Sequence, residues 1–435
     1  MLGAIGIILA VVLVVWMIFK GWHMTIVAVV SSLVVIVTSR MNVWDAFSVS
    51  FANSFKNFAG SWMLMFVLGA IFGKIMQDSR ASLTIANAVV KKIGKQNVIL
   101  AILITTLILS YGGIGVFVIA FTMYPICIAM FKEADLPKEI FPGLLLALPA
   151  TVGMSVGPGV PSVQNLIPTE TFGTTIYAAP IMATICSVFI FAMDFLFYTY
   201  VAKRCRAKGM HFQPGTNDLF TEEKNVDQPK TWAAFLPLIV LLGSIFIIQS
   251  LCPAWKATFV AVIGMTLAIL VAVALFYKRF NVNNVIGAGC ANGLSALMIT
   301  SSIMGFGGVV QAAPAFKTTV DWLLALPLSP LLLAFISINV ICAITGSSSG
   351  GLRIFMETLG QHFLNTGINP AVLHRMTAIA SAGLDAMPHA SGVVLANSVA
   401  NTEMVNTYKY TFVSQCLIPL FAFGVAYILY LLGIV

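Results

Sequence analysis

Apolar residues run along this chain in long blocks separated by short polar stretches. The blocks fall near residues 2–19, 24–39, 60–77, 97–131, 139–168, 174–200, 232–250, 254–277, 294–312, 328–366, 370–400 and 407–433. A helix of about 20 predominantly apolar residues covers the hydrocarbon core of a bilayer, so the pattern predicts an all-α polytopic membrane protein. Two blocks do not fit simple crossings. Block 97–131 has 35 residues, short for two spans, and carries "SYGGIGV" at Ser110–Val116 in its middle. Block 328–366 is interrupted by "TGSSSGG" at Thr345–Gly351. Glycine permits a tight turn there. Both blocks therefore read as re-entrant hairpins. Two further blocks are broken by Gly/Pro-rich stretches, "VGMSVGPGVPSVQN" at 152–165 and "SAGLDAMPHASG" at 381–392.

The broken elements recur. "FGKIMQ" at 72–77 matches "FGGVVQ" at 306–311, Ser110 meets Thr345, Pro137 meets Pro370, and "SVGPGVPS" at 155–162 falls near "DAMPHASG" at 385–392. The Gly, Pro and Gln marks keep their order at a nearly constant offset, which predicts a duplicated unit. Each copy holds a span, an amphipathic stretch (82–93; 316–326), a hairpin, a broken span and a last full span. An odd number of crossings inverts the second copy. The predicted organisation is N-terminal spans over 1–58, a first repeat over 59–200, a linker over 201–231, connecting spans over 232–280 and the inverted repeat over 281–435.

Composition and charge agree with a membrane chain. Of 435 residues, 59% are hydrophobic and 9% charged, against about 25% charged in a soluble domain. The net charge of +8 does not point to nucleic acid, because the basic residues lie in short loops. With the polar stretch 203–230 cytoplasmic, 16 of the 23 basic residues fall inside and 5 outside, as the positive-inside rule expects. Block 2–19 lacks a basic leader and a small-residue cleavage site, and reads as a retained span with its N-terminus outside. Seven scattered cysteines form no metal or redox motif and suit apolar packing. No nucleotide-binding, metal or cofactor motif is present, so the chain is expected to need no cofactor.

Unwound backbone at mid-membrane is tolerated only where protein or a water-filled cavity satisfies it. Helix N-termini there offer N–H donors to an anion, while carbonyls and hydroxyls suit a cation. Four breaks converging at the midplane would form a site for a small organic anion. Ser347, Ser348, Ser349, Gly350 and Gly351 supply hydroxyls and N–H groups; Gly112, Gly113 and Gly115 supply backbone. Gln164 and Asn165 either bind substrate hydroxyls or cap freed backbone. Asp385 and His389, on either side of Pro388, are ionisable groups inside a span and suit proton coupling, or a structural pair at the kink. Arg353 either faces a substrate carboxylate or pairs with Glu357 four residues on. His374 and Arg375 are expected nearer the outer surface in a solvated or interfacial role, and Asp194 at the interface near its span's inner end. "GAIFG" at 69–73 favours close helix packing, as a weak motif.

"FTMYPICIAMFKEADLPKEIFPG", "GPGVPSVQNLIPTETFGTT", "TGSSSGGL" and "NPAVLHRMTAIASAGLDAMPHASGVV" resemble the gluconate permease family of the ion transporter superfamily. The resemblance covers roughly 60–430, and the "LHR…GLDAMPH" block is its most specific part. It implies uptake of a small hydroxylated monocarboxylate, such as gluconate, a related sugar acid or 3-hydroxybutyrate, usually with protons. It also implies paired hairpins, a homodimer and often an elevator-type motion. Sodium coupling stays open, since hydroxyls and carbonyls are hard-cation ligands. A channel would need a charged ring or carbonyl filter, and an enzyme a nucleophile beside a base; neither pattern is found. The expected location is a bacterial inner membrane.

Overall fold

A computed structural model of the chain describes residues 2–111, 115–160, 162–214, 228–252, 255, 257–324 and 326–435. All regular structure among them is helical. Five helical runs are long and apolar enough to cross a membrane: Val43–Asp78, Pro180–Ala207, Phe259–Phe276, Val282–Ala312 and Met404–Leu431. The chain is thus a multi-pass membrane protein. Two of these runs begin well before the apolar blocks at 60–77 and 294–312. Their early turns, "SVSFANSFKN" and "VNNVIGAGCANG", are too small and polar to stand out by hydropathy. Each packs as helix against the later turns of the other run.

That pairing forms the centre of the molecule. Gly289 of Val282–Ala312 lies against Ile71, Gly293 against Phe66, Gly305 against Phe51, and Gly308 against Ser50 and Ser54. The partner recedes along Ala52–Asp78 as the contact advances along Val282–Ala312, so the two helices run antiparallel. A Cβ at Gly289 would come within 2.7 Å of the Ile71 Cα, and one at Gly293 within 2.6 Å of the Phe66 carbonyl oxygen. Backbone cannot move aside as a side-chain tip can. Gly293→Leu is therefore expected to cost at least the ~1–3 kcal/mol typical of overpacking. Thermal unfolding in detergent checks this; an unchanged midpoint would contradict the close approach. The "GAIFG" glycines serve another contact, with Gly69 and Gly73 packing against Phe121. Helices Leu2–Phe19, Met24–Thr38, Thr231–Leu251 and Ala257–Phe276 flank this centre.

Around it the same order of elements occurs twice. After Ala52–Asp78 come Ala81–Ile93, the helices Val98–Tyr111 and Val116–Glu133, a broken helix Phe141–Ala150/Val163–Phe172, and Pro180–Ala207. After Val282–Ala312 come Pro314–Leu324, Pro330–Thr345 and Ser348–Phe355, a broken helix Pro370–Ser381/Ser391–Ala400, and Met404–Phe412 leading on to Leu431. The two last helices also run antiparallel: Cys186 Sγ donates to the Ala422 carbonyl at 3.5 Å, and the Tyr198 hydroxyl meets Ser414 Oγ at 2.8 Å.

Local chemistry explains the interruptions. Thr345 ends its helix at Gly346, which has φ +60, the left-handed cap glycine adopts at little cost. Ser347 then caps the next helix, its Oγ accepting from the Gly350 N–H at 3.1 Å. A Cβ at Gly351 would meet the Cys342 backbone at 3.0 Å, so the two arms touch. In the first broken helix Pro149 precedes a wide turn at Val152–Val156 and an extended stretch beginning at Gly157. Proline removes a backbone donor and crowds the turn before it. In the second, a tight turn at Leu384–Ala386 leads to extended backbone at Met387 and Ala390.

One contact lies outside the spans. Past Ala207 the chain folds back so that His211 Nδ1 lies 2.7 Å from Asp135 Oδ2, and the Phe212 N–H donates to Oδ1 at 3.0 Å. The His211 hydrogen bond first, and the Phe212 N–H second, hold the Asp135 carboxyl below its ordinary range. A depressed carboxyl adds stability above its unfolded pKa and loses it as pH falls through the folded value. The pair is exposed, so Asp135→Asn is expected to lower stability by less than about 1 kcal/mol at neutral pH. The loss should vanish in acid; a difference that grows on acidification would contradict this reading.

Candidate functional site

The first break frees the carbonyls of Ser155, Val156 and Gly157. They are satisfied from the other half of the chain. Arg375, fully buried on Pro370–Ser381, directs Nη1 at all three, at 3.3, 3.2 and 3.5 Å. The same nitrogen donates to Asn165 Oδ1 at 2.9 Å, Nε to the Ala178 carbonyl at 3.1 Å and Nη2 to that of Ile176 at 3.0 Å. Asn165 Nδ2 adds bonds to the carbonyls of Gly157 and Val160, both at 3.1 Å. A guanidinium thus serves as counter-charge to a bundle of carbonyl dipoles. Next to it His374 Nδ1 lies 2.6 Å from Thr174 Oγ1. The solvated or interfacial role expected for His374 and Arg375 is therefore corrected: both are 0% exposed. Asp194 is corrected likewise, being fully buried rather than interfacial.

The second break is satisfied within its own half. The Leu384 N–H donates to Asn339 Oδ1 at 2.9 Å, and the Tyr408 hydroxyl to the Ala386 carbonyl at 3.2 Å. His389 Nε2 lies 3.3 Å from the Ile344 carbonyl, in position to donate and cap the end of the Pro330–Thr345 helix. Its Nδ1 is buried without a partner. A Cβ on Gly346 would come within 2.7 Å of the His389 ring, so this glycine is fixed by packing as well as by its φ.

A further polar contact between the halves joins the helix after the first break to the serine-rich tip. Gln164 Nε2, at the start of the helix after the first break, donates to Ser348 Oγ at 2.8 Å, and both residues are buried. Ser348 also interacts through its hydroxyl with the Asp385 carboxyl of the second break. Ser347 and Ser349 lie beside it, their hydroxyl oxygens 3.4 Å apart. Gln164, Ser348 and the half-buried Asp385 therefore form an amide, hydroxyl and carboxyl cluster drawn from three of the four interruptions.

The remaining candidates distribute as follows. Gly112 and Gly113 lie outside the described residues, and Gly115 caps Val116–Glu133 without a side-chain hydrogen bond. Gly350 and Gly351 belong to the first turns of Ser348–Phe355. Asn165 takes the capping alternative. Arg353 Nη1 stands 4.0 Å from Glu357 Oε1, with side chains 56% and 66% exposed, so the pairing alternative describes it. Asp385 and His389 face different partners, Ser348 and Ile344. Arg375 was missed as a site-building residue, although a cation inside the run 370–381 is a readable signal.

A cavity of about 850 Å³ lies elsewhere, between Ile18–Trp22, Ala52–Asp78 and Val282–Ala312 on one side and 394–405 on the other. Lys74, Gln77, Asn292, Ser295, Asn397 and Glu403 give it a polar lining. It does not reach Gln164, Ser348 or Asp385. Asn397 and Ser398 join the two places, because their helix begins at the second break, just past His389.

A multi-span helical bundle with interrupted helices enclosing buried polar groups is a build that secondary transporters share. The chain belongs to the GntP permease family: the family model described as GntP family permease matches residues 2–432. It is similar to the uncharacterized transporter YxjC of Bacillus subtilis (strain 168), 28% identical over 470 aligned positions that cover 99% of each chain. It is also similar to an uncharacterized transporter of Haemophilus influenzae, 23% identical over 335 positions covering 76% of this chain and 75% of the other.

Proposed function

We propose that this permease takes up a small hydroxylated monocarboxylate, of the size of 3-hydroxybutyrate or gluconate, together with protons. The observation that carries the reading is the Gln164–Ser348 contact with Asp385 beside it. It brings an amide donor, a hydroxyl and a titratable carboxyl to one buried point where two halves of the chain meet. Helix N-termini supply the electrostatics for an anion. Val116–Glu133 and Ser391–Ala400 both start without a side-chain cap, leaving first-turn N–H groups for a ligand. Ser347, Ser349, Gly350 and Gly351 complete the serine-rich tip, with Gly112, Gly113 and Gly115 as its counterpart. Asp385 is the proton carrier, and His389 holds the tip carbonyls in place.

The repeated order of elements and the antiparallel pairing of matching helices support an inverted duplication. Val98–Tyr111 has 14 residues and Pro330–Thr345 has 16. At about 1.5 Å per residue both fall short of the ~30 Å hydrocarbon core, which supports re-entrant hairpins. The polar cavity beside Asn397 is the natural aqueous approach. Loop charges and family membership support a bacterial inner membrane, and the lipid-facing apolar side of Pro180–Ala207 leaves room for a homodimer.

Uptake of labelled gluconate and 3-hydroxybutyrate into proteoliposomes tests the reading. An inward proton gradient should drive accumulation of at least one, and collapsing that gradient should abolish it. Accumulation that follows an inward sodium gradient instead would replace the proton by sodium, a second reading that the hydroxyl-rich tip favours. Non-saturating flux without accumulation would make the chain a channel.

A further inference from the structure

Asp194 stands in the middle of Pro180–Ala207, 0% exposed, and neither carboxyl oxygen has a hydrogen-bond partner. The helix packs against Val98–Tyr111, Phe141–Ala150, Val152–Val156 and Ile418–Leu431. None of these segments contains a Lys, Arg, His, Asp or Glu. Their only titratable groups are Tyr111, Tyr427 and Tyr430, and the neighbouring turn Val413–Leu417 adds only Cys416. On its own helix Asp194 has Tyr198 one turn on and Cys186 two turns back, while Lys203, Arg204 and Arg206 are exposed at the far end. Arg375 engages the chain at Ala178, just before this helix begins. Among the described residues, no cation therefore faces Asp194. An ionised carboxylate buried without a partner costs several kcal/mol. Binding one proton turns it into a neutral acid and removes that cost.

Its surroundings are built for a proton. The Cys186–Ala422 and Tyr198–Ser414 contacts bracket Asp194, which places it opposite the wide turn Val413–Leu417. Such widened turns recur at functional sites. Near the Tyr198 hydroxyl the Thr411 Oγ1 is buried with no partner, and Gln415 Nε2 donates to the Gly143 carbonyl at 3.1 Å. The other side of the same turn packs against Leu384–Ala386, which carries Asp385. One irregular turn thus lies between Asp194 and the half-buried Asp385.

We propose that Asp194 is a second proton-binding site, separate from the Gln164–Ser348–Asp385 cluster, whose occupancy is linked to transport across the Val413–Leu417 turn. The link to transport rests on the proton-coupled reading above; the bound proton does not. Infrared spectra of the purified chain in lipid, in wild type, Asp194→Asn and Asp385→Asn, read the proton directly. The expected result is a protonated carboxylic C=O band at neutral pH that Asp194→Asn removes and Asp385→Asn leaves. A wild-type spectrum that Asp194→Asn leaves unchanged overturns the site. Gluconate and 3-hydroxybutyrate flux in vesicles then reads the linkage. Asp194→Asn should lose proton-driven accumulation while keeping exchange of substrate at equal concentrations on both sides. Unaltered accumulation with the band lost would make the proton structural and overturn the linkage. A monodisperse elution profile shows that the variant folds. If wild type moves neither probe, the transport reading fails while the spectrum still decides the site.

Discussion

Arg375→Leu is expected to yield no monodisperse, transport-competent protein. This guanidinium donates in six contacts, five to backbone carbonyls and one to Asn165 Oδ1. Two effects oppose each other. Leucine relieves the desolvation of a buried cation, and replacing buried charges by apolar groups is sometimes stabilising. Here, however, the acceptors stay behind, and an orphaned buried acceptor costs about 1–3 kcal/mol. Even with partial relaxation the loss is on the order of 5 kcal/mol, comparable with the whole stability of many domains. Arg375→Lys should fall between, because an ammonium keeps the charge but offers only three donors and no planar fork. Size-exclusion profiles after detergent extraction check the series. A well-folded Arg375→Leu chain that still transports would show that the break is held by something else.

Ser348→Leu is expected to do the opposite: to leave folding largely intact and abolish uptake. The residue donates and accepts one side-chain bond each at most in this setting, so losing it, with Gln164 Nε2 left unpaired, costs about 1–3 kcal/mol, well below the loss at Arg375. Ser347, which caps the helix, and Gly346, which reverses the chain, are untouched. The change instead removes the hydroxyl between Gln164 and Asp385 and fills the space between them with isobutyl. Gln164→Leu should act in the same direction from the other half of the chain. Initial uptake rates with surface-expression controls check both. Normal uptake by Ser348→Leu would move the binding site away from this cluster.

The interruptions at Gly346, Val152–Gly157 and Leu384–Ala386 were legible because Gly and Pro punctuate the apolar runs there. The helices Ala81–Ile93 and Pro314–Leu324 lie where the amphipathic stretches predicted them. Helix starts were not legible where packing overrides composition, as at Val282–Gly293, whose Gly289 and Gly293 are buried against Ala52–Asp78. The Gln164–Ser348 contact joins residues 184 positions apart, and only the idea of converging breaks could suggest it. The role of Arg375 escaped because its partners are carbonyls, which every residue carries and no sequence displays. The same blindness placed Asp194 at an interface: the packed helices that exclude water from it lie far away in sequence.

The central claim is that interruptions from both halves of the chain close on one buried point. Cross-linking tests it most directly, in a background with the seven native cysteines replaced. With Gln164→Cys and Ser348→Cys introduced together, a short bis-thiol reagent should link the two positions within one chain, and the linked protein should no longer take up substrate. Failure to link, with each thiol instead labelled by an impermeant reagent from opposite sides of the membrane, would contradict the account.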